Sequence, residues 1–191
     1  EKNIFSDEIY GIYQRINLIP NHQIEFGINR SILSSNYQTN RISQSDSEQF
    51  KLSQNGYLQS IYLQDDWSFS KQIKINLGFR NTYYSNTNTN YFMPRLSLSY
   101  NITPTIKFES AFGKYEQYVH QFNSPMSTRG TKGTWLISEG NIPVISANSS
   151  HNSFSWENSF YDASISYYQR NSSGQYDFER YISPIAIFSD L

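Results

Sequence analysis

No cysteine occurs in the chain, which removes disulfides, thiolate metal sites and cysteine nucleophiles together. Histidine is scarce. His22, His120 and His151 make up the whole set of three, and none is paired with another at metal-ligand spacing, so no metal or haem site is expected of them. Neither sign of charge dominates, since 15 Lys and Arg stand against 16 Asp and Glu, and the basic footprint of a nucleic-acid binder is missing. Long apolar runs are missing too, and nothing approaches the ~18 residues of a membrane helix. Low hydropathy does not exclude a membrane barrel, because a strand that crosses in a barrel is half polar. No Ser/His/Asp order, phosphate-cradling glycine loop or activated nucleophile stands out. Asp65 and Asp66 are neighbours in an extended segment, so they point to opposite faces and serve structure near a rim rather than one reaction centre. Triplets such as Asn148-Ser-Ser150 are expected by chance in so Asn- and Ser-rich a chain. Neither an enzyme nor a cofactor is expected. An initiator Met and a charged-then-apolar leader are also absent, so the 191 residues read as a processed chain or a fragment.

What is present is alternation. From Ile73 to Tyr83, Ile73, Ile75, Leu77, Phe79 and Tyr83 share one parity, while Lys74, Asn76, Gly78, Arg80 and Thr82 share the other. Successive strand side chains point to opposite faces, so this is a strand with an apolar and a polar wall. The pattern repeats in Phe92 to Tyr100, in Ile106 to Gly113 and in Gln54 to Phe69, where Ile61, Leu63, Trp67 and Phe69 oppose Ser60, Tyr62, Gln64 and Asp66. It is found again in Tyr10 to Leu18, Ile24 to Ile28, Ser153 to Phe160 and Ala163 to Gln169. Several runs last about ten residues, the length of a tilted membrane strand rather than of the ~5–6-residue soluble one. Aromatic residues reach 17%, with sixteen Tyr and thirteen Phe, and their place near strand ends suits interfacial girdles.

Short turns at Ile19–His22, Ser70–Gln72 and Ile102–Pro104 alternate with polar connections at Ser34–Glu48, Ser85–Asn90 and, longest, His120–Thr134. The expected fold is all-β, an antiparallel up-and-down transmembrane barrel with its longer loops outside the cell. About eight strands are legible. Eight could close a small barrel, but the polar wall mixes Arg15, Glu25, Arg80, Arg95 and Glu109 with small residues, which suits a wide one. The stretch from Gln175 to Leu191 reads as a further loop with Tyr176, Phe178 and Tyr181 near its base.

Several pieces, in order, resemble the barrel strands of TonB-dependent outer-membrane receptors, especially their Bacteroidota-type members. They are Tyr62-Leu-Gln-Asp-Asp-Trp67, Ile75-Asn-Leu-Gly-Phe-Arg80, Pro94-Arg-Leu-Ser-Leu-Ser-Tyr100 and Ala111-Phe-Gly-Lys-Tyr115, then Trp135-Leu-Ile-Ser-Glu-Gly-Asn-Ile-Pro143 and Tyr167-Tyr-Gln-Arg170. The resemblance implies that residues 1–191 are part of one barrel of about 22 strands closed by an N-terminal plug. It also implies uptake of a scarce nutrient (siderophore, haem, cobalamin, glycan or peptide) in the bacterial outer membrane. The implied partners are outer-membrane lipid, the TonB complex acting through the plug, and a surface-exposed substrate-binding lipoprotein. Plug and TonB-contacting segment are not in this sequence, so what is here forms wall and ligand-facing loops.

Two residue sets follow as expectations. Ile75, Leu77, Phe79, Leu96, Leu98, Phe108 and Phe112 should face lipid. Tyr115, Tyr118 and Trp135 flank the longest loop and Arg129 and Lys132 lie within it, so these five are the candidates for ligand contact, with aromatic faces for sugars or flat ligands and cations for anionic chelates. Belt and loop packing is the bland alternative for each. The competing functions are another outer-membrane barrel, either a porin or a secretion or assembly channel, and a soluble β-rich binding module.

Overall fold

A computed structural model describes residues 2–17, 19–42, 47–123 and 133–175, with side chains at all of these except 39–42, 47, 48, 50, 122 and 123. The expected loop at Gln175–Leu191 therefore lies almost wholly outside the described residues. Ten strands follow one another: β1 (Lys2–Ile16), β2 (His22–Ile42), β3 (Ser47–Trp67), β4 (Ile73–Tyr84), β5 (Thr89–Asn101), β6 (Ile106–Gln117), β7 (Val119–Asn123), β8 (Gly133–Ile137), β9 (Ile145–Glu157) and β10 (Asp162–Ser173). Eight of them form one antiparallel sheet in the order β1-β2-β3-β4-β5-β6-β9-β10, and β7 and β8 pair separately. The eight expected strands are the eight of the sheet, and all are consecutive neighbours apart from the step over the β7–β8 hairpin.

The register makes the two walls explicit. On one face, Ile12, Ile28 and Ile61 lie in a row, then Phe26, Leu63, Phe79 and Pro94, then Leu77, Leu96 and Phe112, then Tyr100, Phe108, Phe154 and Ile165. Cross-strand neighbours on one face are the unit of sheet packing, and here rings meet rings, with Phe108 4.7 Å from Phe154 and Phe79 5.6 Å from Phe92. Among the described residues no element covers this face, and Leu77, Leu96 and Phe112 remain about half exposed.

The opposite face is polar. One row reads Glu25, Gln64, Gly78, Arg95, Gly113, Ser149 and Arg170. Arg15 reaches Glu25 at 2.6 Å, the Tyr62 hydroxyl donates to the same carboxylate, and Asn76 donates to Asp66. Gly27 sits under the Tyr62 ring; a Cβ there would lie 2.7 Å from that ring and 2.8 Å from the Ile12 carbonyl. Asp65 and Asp66 do point apart. Asp65 is on the apolar face, 2.7 Å from Nδ1 of His22, whose ring stacks on Trp67.

Three expectations are corrected. Ser34–Glu48 is not a loop, since β2 continues to Ile42 and β3 starts at Ser47, giving two strands of 21 residues. The extension is hidden in the sequence because its residues are mostly polar and lack the two-residue alternation. At ~3.3 Å per residue each strand runs about 70 Å, over twice the ~30 Å hydrocarbon core. Secondly, Ser85–Asn90 is no long connection: residues 85–88 make a tight turn with Asn88 at φ 50°, a left-handed position that Asn tolerates. Loop length alone therefore does not separate the two ends of the sheet. Thirdly, the stretch expected to be loop after Tyr118 contains β7 and β8, and it turns back onto the polar face.

Candidate functional site

The hairpin is fastened through the edge of β8. Backbone groups on a strand edge need partners, and here wall side chains supply them. The Gln54 side-chain amide both accepts from the Ile137 N–H at 3.0 Å and donates to the Ile137 carbonyl at 3.1 Å. Asn3 treats Trp135 the same way, at 2.9 and 3.3 Å, and the Ser35 hydroxyl donates to the Trp135 carbonyl at 2.6 Å. Each amide carries one donor group and one acceptor, so it imitates the pairing of a neighbouring strand. All three residues belong to the polar parity of β1, β2 and β3, which is what aims them at the hairpin.

Apolar burial reinforces the fastening. Leu33, Tyr84, Tyr118 and Ile137 form a buried cluster, with Phe5, Leu58, Tyr91, Val119 and Val144 around it. Trp135 stacks on Phe5 at 5.6 Å, and Tyr118 lies 5.0 Å from Tyr84 and 5.5 Å from Tyr91. The Tyr84 hydroxyl donates to the Ser138 carbonyl at 2.6 Å. Burial pushes the ionisation of Tyr118 upward, so it stays a neutral hydroxyl. His120 is buried with Nε2 2.7 Å from the Ser138 hydroxyl, which in turn donates to the Pro143 carbonyl at 3.0 Å. Burial lowers the His120 pKa, with an opposing push from the Pro143 carbonyl.

The candidate ligand residues separate. Tyr118 lies inside the cluster and Trp135 is held to the wall by backbone and ring. Tyr115 is on the polar face of β6, 43% exposed, with the Arg95 guanidinium 5.2 Å from its ring. It lines a cleft of about 380 Å³ with Gln117, Ser149, Tyr168 and Arg170. Arg129 and Lys132 lie outside the described residues. Nearer the turns at residues 19–21 and 68–72, the same face holds a larger cleft of about 950 Å³ whose lining includes Asp66, Lys74, Asn76, Ser97, Glu109 and His151. No group of three metal-ligating side chains occurs among the described residues. The arrangement offers polar and aromatic binding surface rather than bond-making chemistry. Asn3, Ser35 and Gln54 are the fastening residues that sequence reading passes over, and nothing local distinguishes them from any other polar side chain of their strands.

A family model described as TonB dependent receptor-like, beta-barrel, matches residues 4–184. A comparison with curated proteins returns no match. Among solved structures, a variant of the ferric enterobactin receptor PfeA of Pseudomonas aeruginosa is similar, with a TM-score of 0.65 and 10% identity over 89% of this chain and 27% of the other. So is the siderophore receptor PirA of Acinetobacter baumannii, with a TM-score of 0.63 and 10% identity over 91% and 28%. The RagAB peptide importer in its closed-closed state gives a TM-score of 0.55 and 9% identity over 89% and 24%. The chain thus spans about a quarter of the length of these three chains.

Proposed function

Because the chain belongs to the TonB-dependent receptor β-barrel family, we propose that it builds part of the wall and mouth of a receptor that imports a scarce nutrient across the bacterial outer membrane. The family is one of receptors and transporters, not of enzymes. The observation that carries the reading is the two-faced sheet: eight antiparallel strands with exposed apolar rows on one side and polar rows on the other. So broad an apolar surface is untenable in water. Ile75, Leu77, Phe79, Leu96, Leu98, Phe108 and Phe112 face lipid, and the polar rows face the lumen.

All 191 residues then belong to one barrel domain. The large cleft near the short turns is the seat for the plug through which the TonB complex acts. The imported solute is a siderophore, haem, cobalamin, a glycan or a peptide, and a surface-exposed substrate-binding lipoprotein is a partner. The similar solved structures support the siderophore and peptide members of this range, since their names include ferric enterobactin, a siderophore and peptides. Tyr115 and Trp135 are the described aromatics best placed to meet the solute, with Tyr118 behind them and Arg129 and Lys132 proposed beside them from sequence order alone.

The test is uptake by the full-length receptor. Cells carrying it should accumulate one of these nutrients, and dissipating the proton-motive force or removing TonB should stop accumulation. Equal accumulation after either treatment would mean a passive channel. Recovery of the protein from washed membranes without detergent would mean a soluble module.

A further inference from the structure

A hairpin connected to two wall strands has no need to lie on the wall. This one does, and its fastening is costly to undo. Breaking it would leave the amides of Asn3 and Gln54 and the backbone of Trp135 and Ile137 needing new partners, and would expose Ile137 and Ser138, both now at 0% exposure. The attachment also crosses strands. Its contacts run from Asn3 and Phe5 on β1 through Leu33, Ser35, Gln54 and Leu58 to Tyr84 on β4. At ~4.8 Å between neighbouring strands, β1 to β4 is about 14 Å of wall. The material laid over it is a two-stranded ribbon together with residues 138–144, all on the polar face and all at the end away from the short turns.

Resting on the reading of that face as the lumen, we infer that the β7–β8 hairpin is a permanently docked inward ledge. It sets the size limit for what descends along the β1–β4 wall, and Asn3, Ser35 and Gln54 are its positioning residues. Solutes narrower than the remaining opening pass toward β5, β6 and β9, where Arg95 and Tyr115 line the wall. Wider ones are stopped at the ledge.

The absence of cysteine from this segment gives a clean reporter background. In a cysteine-free version of the full-length receptor, in outer membranes, Ser138→Cys reports docking and Gln64→Cys reports the wall beneath the ledge. Asn88→Cys, in the exposed turn between β4 and β5, serves as the open control. A small membrane-impermeant maleimide should label Ser138→Cys at least about tenfold more slowly than Asn88→Cys, as expected for a site reached only by local opening. Adding Asn3→Ala and Gln54→Ala should bring the two rates together. With the fastening intact, a maleimide on a long polyethylene glycol chain should fail to label Gln64→Cys from outside while the small reagent succeeds. With Asn3→Ala and Gln54→Ala both should succeed, a change in size dependence that loss of stability alone would not produce. Heat-modifiable migration on gels confirms that each variant still forms a barrel.

Labelling of Ser138→Cys as fast as Asn88→Cys in the unaltered wall would overturn docking. Continued exclusion of the large reagent after the fastening is removed would overturn the ledge as the limiting constriction. Neither readout depends on transport, so failure here is separable from failure of the uptake reading, which fractionation and accumulation decide.

Discussion

Gly27 shows how much a single position carries. A methyl group there would press on the Tyr62 ring and on the Ile12 carbonyl of the neighbouring strand. The ring could rotate away, but the carbonyl is fixed by the ladder. Gly27→Ala should therefore destabilise the sheet by about 1–3 kcal/mol, read as a lower temperature of heat-modifiability; an unchanged value would mean that the strands shift freely. Leu77 and Asn76 make the complementary pair. Leu77 sits in the apolar row beside Leu96, whereas Asn76 faces Asp66 on the polar wall. Leu77→Arg should cost about 2–4 kcal/mol if that side meets the bilayer midplane and should reduce the folded yield in outer membranes. Asn76→Arg places its charge next to a carboxylate and should be tolerated. Comparable yields of the two variants would contradict the assignment of faces.

At the scale of an element, the hairpin combines polar fastening with a buried titratable ring. Docking holds His120 neutral between the Ser138 hydroxyl and the Pro143 carbonyl side, and lowers its pKa from 6.5. A lowered pKa means that the undocked hairpin binds the proton more readily. Docking is then at full strength above the ordinary imidazole value and weakens as the pH falls below it. Relative to Asn88→Cys labelled at the same pH, which cancels the falling thiolate fraction, labelling of Ser138→Cys should accelerate below pH 6.5 and lose that dependence when His120→Gln is added; a flat ratio with His120 in place would contradict this. Tyr84→Phe removes only the hydroxyl that donates to the Ser138 carbonyl. The loss should be about 0.5–1.5 kcal/mol of docking, seen as a severalfold faster rate at Ser138→Cys.

For the whole molecule, the sheet is open among the described residues, with β1 and β10 at its edges. Unpaired edges template association. The 191-residue chain produced by itself should form oligomers in detergent and show fast amide exchange along the free side of β10. A monodisperse monomer with β10 fully protected would require closure of these strands alone.

The sequence by itself determined the sheet and which residues share a face, and it pointed to the family. Alternation has a period of two, so Ile73 to Tyr83 declares its two walls without reference to any other strand. Strand ends were less legible. In β2 and β3 the polar residues beyond Ser34 look like loop, and only ladder pairing of Tyr37 with Leu52 and Gln38 with Lys51 makes them strand. The hairpin's seat was decided by tertiary structure alone. Gln54 meets Ile137 across 83 residues and Asn3 meets Trp135 across 132, and no local period reports a partner so distant. A side-chain amide on the polar parity looks the same to the sequence whether it faces water or completes another strand's edge.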